Sequence, residues 1–401
     1  MVKSFLEARS TILDSVSPLG TEAVDLLHLV GRILAEDLPA PWDMPRWDNS
    51  EMDGFAVRAA DCSPLSQLKI TGYLPAGASA DSISVEPGTA VKIMTGAPIP
   101  AGCDAIVPIE NTQSDGETLL IQKNVQTKDY IRCKGSDIPQ GRIEIPAGTI
   151  LRPTDINLLA SFSRPTAQVY RRPVVAILST GDELVAPGEV PAAGQIIDGN
   201  SYSLAAAIRE IGAIPKILGI ARDNHNSLEE KITQGLEADV LITSAGVSTG
   251  DRDLVREILE TAGVEQQFWK VAIKPGGPTA FGLIGNKPVF SLPGNPVSSM
   301  IGFEELVRPA LLKMLGHTEV LRPLIKAVAK TALYNETTKT RFLRVMVTKS
   351  TTGFSVESAG DQNTGILSTM IKANGIAILT PGQKEIPAGE KVDIQLLSEI
   401  S

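Results

Sequence analysis

Residues 173–183 read PVVAILSTGDE. An unbroken apolar run of this length, rich in β-branched residues, is the mark of a strand buried on both faces. The polar Ser179-Thr180-Gly181-Asp182-Glu183 turn that ends it recurs in plan twice downstream. ADVLIT (238–243) leads into SAGVSTGDRD (244–253), and KPVFS (287–291) leads into LPGNPVS (292–298). The intervening stretches read as helix, strand and helix: SYSLAAAIREIG (201–212), IPKILGIAR (214–222) and SLEEKITQGLE (227–237). DLVREILETAG (253–263) and PVSSMIGFEELVRPALLKMLG (296–316) are helical in the same way. Strands alternating with helices predict an α/β domain over 171–317 with a doubly wound parallel sheet, covered on both faces.

In an open parallel sheet the loops at the carboxyl ends of the strands lie together, where ligands bind. Glycines there let backbone amides approach a ligand, and helix N-termini favour anions. One such loop alone is an ordinary strand–turn–helix connection. Three on one edge, loaded with Ser, Thr, Asn and carboxylates, predict a phosphate or nucleotide pocket. Neither GxxxxGK[ST] nor a strand-following GxGxxG is present, so P-loop and dinucleotide readings lack their fingerprint. In WKVAIKPGGP (269–278), Lys270 and Lys274 are an even number of residues apart. On an extended strand both face one side, as suits a polyanion; snorkelling lysines on a solvated edge are the plainer alternative.

Outside this domain the texture differs. The first 38 residues carry apolar positions near a 3.6 period and read as helix until Pro39, Pro41 and Pro45. Residues 46–138 are short apolar runs punctuated by Gly and Pro, as in an all-β module. Residues 139–170 run from strand into a helix beginning near Thr154. They are expected to pack back on the N-terminal helices, so that 1–45 with 139–170 form a discontinuous helical region around a β-rich insertion. Residues 318–401 return to β texture and predict a small C-terminal β-barrel.

Composition bounds the chemistry. The chain has 401 residues, 37 basic and 46 acidic, for a net charge of −9, which argues against bulk nucleic-acid binding. No apolar run approaches the roughly 18–20 residues that span a bilayer. The amphipathic start, with Glu7 and Asp14, does not read as a signal peptide. Cys62, Cys103 and Cys133 are scattered and odd in number, and the three histidines are isolated. Disulfide frameworks, zinc knuckles and Ser-His-Asp triads are therefore disfavoured, and a reducing cytoplasmic setting is expected. Carboxylates, cations, hydroxyls and a hard cation such as Mg²⁺ remain.

NSEMDGFAV (49–57), KIMTGAPIP (92–100) with CDAIVPIE (103–110), GSDIPQG (135–141), ILSTGDEL (177–184), DGNSY (198–202), SAGVSTGDRD, WKVAIKPGGP and LPGNPVSS (292–299) occur in one order. In this the chain resembles the molybdopterin molybdenumtransferases, the MoeA family, along nearly its whole length. The resemblance implies an elongated homodimer and the last step of molybdenum cofactor synthesis. There adenylylated molybdopterin is cleaved with Mg²⁺ present, AMP leaves, and molybdate, a substrate, is inserted at the dithiolene.

Motif by motif, the resemblance places Asp53, Thr95, Asp137, Glu183, Asp223 and Asp253 in catalysis. Asp53 and Thr95 would complete the site of the other subunit. Substrate binding falls to Ser179, Thr180, Gly181, Gly246, Ser248, Lys270, Lys274, Pro293, Asn295, Pro296 and Ser298. Molybdate binding falls to Lys274, Pro275, Ser298, Arg344, Thr364 and Ser368, and Mg²⁺ to Glu183, Asp223 and Asp253. The molybdopterin adenylyltransferase and apo-molybdoenzymes are implied as contacts. Two positions depart from the family pattern: Gly277 stands where many members have Lys, and Thr364 where Ser is common. Two other readings stay open. A pterin binder without turnover is disfavoured by the intact carboxylate set. The adenylyltransferase of the same pathway is disfavoured by the long terminal regions.

Overall fold

The computed structural model describes residues 2–245, 254–351 and 353–398. The chain divides into two compact units. The first comprises Met1–Ala35, Ile150–Arg152 and Thr166–Ser401, and the second comprises Glu36–Thr149 and Pro153–Pro165.

In the first unit the strand Val174–Thr180 pairs in parallel with Ile214–Ala221 on one side and Val240–Ser244 on the other, and Val240–Ser244 pairs in parallel with Lys287–Leu292. Period-two alternation divides these strands between two cores. Val175, Ile177, Val240, Ile242 and Phe290 pack with Leu204, Ile208 and Ile301. Ala176, Leu178, Leu241 and Val289 pack on the opposite face with Leu228, Ile232 and Ile258. This double burial is why the sequence shows continuous apolar runs, and the doubly wound parallel core is present as expected. The sheet is mixed at one end: Ala280–Ile284 pairs antiparallel with Lys287–Leu292, and Glu265–Phe268 antiparallel with Ala280–Ile284. Residues 270–274 do not form one strand. Lys270–Val271 pairs with Val2–Lys3, and Ile273–Lys274 with the start of Thr340–Ser350.

The barrel is also as expected. Among the described residues Thr340–Ser350, Gly353–Ser358, Leu324–Ala329, Lys391–Leu396 and Gly375–Leu379 pair in turn, and Gly375–Leu379 pairs back on Thr340–Ser350 to close five strands. Val345, Val356, Ala377, Val392 and Ile394 fill it.

The N-terminal segment corrects the helical reading of the first 38 residues. The helix Phe5–Asp14 starts with a capping box between Ser4 and Glu7, in which Glu7 Oε2 accepts from Ser4 N at 3.0 Å. It ends before Pro18. Thr21–Asp25 is then a strand, antiparallel to Thr166–Tyr170. The apolar spacing at 24, 26, 27 and 30 imitates a helix, but long-range pairing with a strand far along the chain overrides local pattern. The region expected to be helical thus contributes the helices Phe5–Asp14 and Pro153–Ser161, the latter grouped with the second unit.

In the second unit a mixed sheet runs Ala105–Pro108, Gly54–Val57, Thr89–Ile93, Gln67–Leu74, Thr118–Ile121, Thr112–Ser114 among the described residues. The two ends of the unit meet where Leu38–Pro39 pairs with Ile143–Ile145.

Candidate active site

Three strand ends of the α/β sheet open onto a cavity of about 580 Å³, a size that suits a ligand of several hundred daltons. Ser179 and Glu183 come from the first loop, Ser244 and Ala245 from the second, and Pro293, Gly294, Asn295 and Pro296 from the third. Asp198, Gly199 and Asn200 close one wall, and Leu367 of the C-terminal region and Pro278 another. Ser179 and Thr180 are buried, and the Ser179 and Ser201 hydroxyls lie 2.8 Å apart.

The STGDE turn is pinned from behind. Gly181 has φ +146°, which a side chain rarely adopts, and a Cβ there would overlap the Glu183 carboxylate. Arg222 Nη1 donates to the carbonyls of Asp182 and Leu184 at 3.1 and 3.0 Å. Asp182 Oδ1 accepts from Asp223 N at 3.2 Å. Glu183 and Asp223 are exposed side chains on this edge. Partial burial pushes the Asp223 carboxyl up, and the negative charges of Asp182 and Glu183 push it further. Gathered like charges of this kind attract a cation. Among the described residues no three His, Cys, Asp or Glu side chains converge on one point as a closed metal site. Asp253, Gly246 and Ser248 lie outside the described residues. The oxygen-only donor set of Glu183 and Asp223 fits Mg²⁺, which keeps several waters and takes one or two carboxylates.

Lys270 and Lys274 are exposed while Val271 and Ile273 are buried, but the two lysines sit on separate two-residue strands with a bend at Ala272 between them, so the single strand face that the spacing predicts is not formed. Lys274 leads into Pro275 through a cis peptide bond. Neither lysine lines the cavity wall, whereas Pro278 does. Pro296 opens the helix Pro296–Gly302, which continues through a π-turn at Phe303–Val307 into Arg308–Met314. Ser298, in its first turn, is buried. Asn295 Nδ2 donates to Thr364 Oγ1 at 3.3 Å, which joins the third loop to the barrel side. Arg344 is fully buried; its Nη2 donates to the carbonyls of Asp361 and Asn363, at 2.9 and 3.2 Å, so it props the loop that carries Thr364. Among the described residues its Nε and Nη1 find no partner, and burial lowers its pKa. Ser368, exposed, begins the short helix Ser368–Lys372.

The second unit holds the remaining predicted acids. Asp53 Oδ1 accepts from Thr95 N and Thr95 Oγ1, both at 2.7 Å. The Thr95 backbone amide, then its hydroxyl, hold the Asp53 carboxyl below the usual range. Gly54 makes the arrangement possible: any Cβ there would overlap the Val107 carbonyl of the neighbouring strand. Asp137 is exposed, and its amide donates to Met44 O at 3.0 Å; among the described residues its side chain has no bond to the Asp53–Thr95 pair.

Sequence comparison then places the whole chain. The profile of the MoeA N-terminal region (domains I and II) matches residues 3–163, that of a probable molybdopterin binding domain residues 176–313, and that of the MoeA C-terminal region (domain IV) residues 326–397. The chain belongs to the MoeA family. The molybdopterin molybdenumtransferase of Haemophilus influenzae is 35% identical over 394 residues, 97% of each chain. That of Staphylococcus aureus is 33% identical over 396 residues, 97% of this chain and 94% of that one. A crystal structure of the molybdopterin biosynthesis MoeA protein from Pyrococcus horikosii matches with a TM-score of 0.87 at 32% identity, covering 100% of both chains.

Within this MoeA chain, sequence reasoning passed over Asn200. Its Nδ2 donates to Ser244 Oγ at 2.9 Å and to Gly294 O at 2.8 Å, so one amide braces the second and third loops. Lying in DGNSY, it reads as a helix start, and nothing local reveals its two distant acceptors. Asp198 was likewise missed: it is buried and accepts from Ser201 N at 3.1 Å, which fixes the wall beside Ser179.

Proposed function

We propose that this protein is a molybdenum insertase that takes molybdate and adenylylated molybdopterin, breaks the phosphoanhydride in the presence of Mg²⁺, and releases AMP. The observation that carries the reading is the cavity at the three strand ends, lined by Ser179, Ser244 and Asn295 and rimmed by Glu183. It joins hydroxyl and amide donors for phosphate oxygens to carboxylates suited to a metal. The MoeA relatives named molybdopterin molybdenumtransferase support the same chemistry.

In this reading Ser179, Thr180 and the amides around Gly181, Gly294 and Asn295 hold the substrate's phosphates and nucleotide. Lys270 and Lys274 draw in its negative charge. Glu183 and Asp223, with Asp253, hold Mg²⁺, which when bound neutralises the diphosphate and eases departure of AMP. Lys274, Pro275, Ser298, Thr364 and Ser368 receive the molybdate oxyanion, with Arg344 beneath their loop. Asp53, kept ionised by Thr95, and Asp137 act in catalysis from the second unit. We place them in the site of the partner subunit of a homodimer. The setting is cytoplasmic, in keeping with three free cysteines and with the lack, among the described residues, of a helix long and apolar enough to cross a membrane. The molybdopterin adenylyltransferase is the proposed donor and apo-molybdoenzymes the proposed recipients.

The test incubates the protein with adenylylated molybdopterin, Mg²⁺ and molybdate and measures AMP and active cofactor. AMP release that needs both Mg²⁺ and this protein is expected. A wild-type protein that releases none overturns the reading.

A further inference from the structure

The ladder between Ile273–Lys274 and Thr340–Ser350 sets Ile273 opposite Thr340 and Lys274 opposite Arg341. Register partners share a face. Thr340 and Ile273 are buried, so alternation sends their neighbours Lys274 and Arg341 together to the other face of this ladder. Thr340 N donates to Ala272 O at 3.1 Å, which carries the ladder back to Lys339.

The loop after Lys274 folds over its own strand. Gly277 O accepts from Val271 N and from Thr279 N, both at 2.9 Å. The Lys339 ammonium comes to 3.7 Å from where a Cβ at position 277 would be, an ordinary contact, so its side chain lies beside this loop. The next residue, Pro278, lines the cavity. Among the described residues neither Lys339 Nζ nor Lys274 Nζ has an acidic partner. Among the described residues Arg341 Nη1 is buried without a hydrogen-bond acceptor. A guanidinium N–H left so is unfavourable until an acceptor arrives.

We propose that Lys339 and Arg341 are anion-binding residues that, with Lys274, receive one tetrahedral oxyanion at the Pro278 side of the cavity. That oxyanion is molybdate or a phosphate group of the substrate. The Arg341 fork supplies N–H donors from the barrel strand, Lys274 a cation from the strand paired with it, and Lys339 another from the residue just before the barrel strand. The assignment deepens the reading above and rests on it for the identity of the substrate.

Binding of molybdate, and separately of inorganic pyrophosphate, is measured by calorimetry at low salt for wild type, Lys339→Gln, Lys339→Arg and Arg341→Gln, with thermal melts alongside. Lys339→Gln is expected to weaken one anion about fivefold with an unchanged melting temperature, and Lys339→Arg to restore it. Loss confined to molybdate assigns the metal oxyanion, and loss confined to pyrophosphate assigns a substrate phosphate. Unchanged affinity for both anions in Lys339→Gln overturns the proposal, as does a wild type that binds neither. If Arg341→Gln does not fold, the exposed Lys339 series decides alone. A wild type that binds an anion in a Lys339-dependent way but releases no AMP sinks the insertase reading and leaves this pair standing.

Discussion

The strand-end cavity and the Asp53–Thr95 pair are built on different plans. At the strand ends the polar groups are held from several sides. Ser179 is buried against Ser201, Asn200 spans two loops, and Arg222 clamps the carbonyls of the STGDE turn. Asp53 and Thr95 are exposed, and each is positioned chiefly by the other and by the backbone of Gly54. A frame made of buried groups couples binding to stability, because each removal leaves an orphaned partner. An exposed pair is free to be tuned for charge alone. Glu305 is the converse of Asp53. Burial, aided by Glu304, pushes its carboxyl up to about 7, and among the described residues its Oε1 has no partner.

The contrast is sharpest at Asp53. Asp53→Ala is expected to cut AMP release and insertion by about a hundredfold or more while the melting temperature stays put. A melting temperature that drops in parallel would show the pair to be structural and erase the distinction. Glu183→Ala is expected to cost about tenfold to a hundredfold and to raise the Mg²⁺ concentration for half-maximal rate; an unchanged Mg²⁺ requirement removes it from the metal set.

Glu305→Gln tests the buried extreme. Its folded pKa lies above the unfolded value, so the folded state holds its proton longer. That contribution is complete below about pH 4.5 and is lost as pH rises to about 7. The variant is therefore expected to gain about 3 kcal/mol over wild type at pH 8, a gain that shrinks below about 1 kcal/mol by pH 5. Equal pH profiles in chemical denaturation would show that Glu305 is solvated. Asn200→Ala is expected to lose about 1–2 kcal/mol of stability and to raise the substrate KM, the coupled response that an exposed residue lacks. Smallest is Thr364→Ala: its one long bond to Asn295 crosses partly exposed surface, so molybdate affinity should fall about threefold or less. A larger loss would make the hydroxyl a direct ligand.

What the sequence disclosed follows from where each pattern originates. The strands 174–180, 240–244 and 287–292 were legible because burial on both faces demands an apolar residue at every position, and the loops after them because a parallel sheet forces them onto one edge. Thr21–Asp25 was not, since its partner is Thr166–Tyr170 and nothing nearby in the chain announces it. Leu324–Ala329 went unread just after Pro323, Glu265–Phe268 is short and mostly polar, and Ala280–Ile284 is short and broken by Gly282. Asp223 was marked only by the family resemblance, whereas Asp53 and Glu183 stood out as carboxylates in polar, glycine-containing loops. Asn200 and Lys339 did not, because their meaning depends on acceptors and register that only tertiary pairing supplies.

The second unit interrupts the first, and this shapes how the chain reaches its folded state. The Ile33–Ile150 bridge of the first unit closes a loop of roughly 115 residues. Formed from an unstructured chain, that closure costs about 3 kcal/mol more than a tight turn. Once the second unit has folded, its own pairing of Leu38–Pro39 with Ile143–Ile145 already holds the two connecting segments side by side, and the long loop shrinks to a few residues. The insertion therefore acts as an internal staple that lowers the closure cost of pairing residues 21–34 with 166–170.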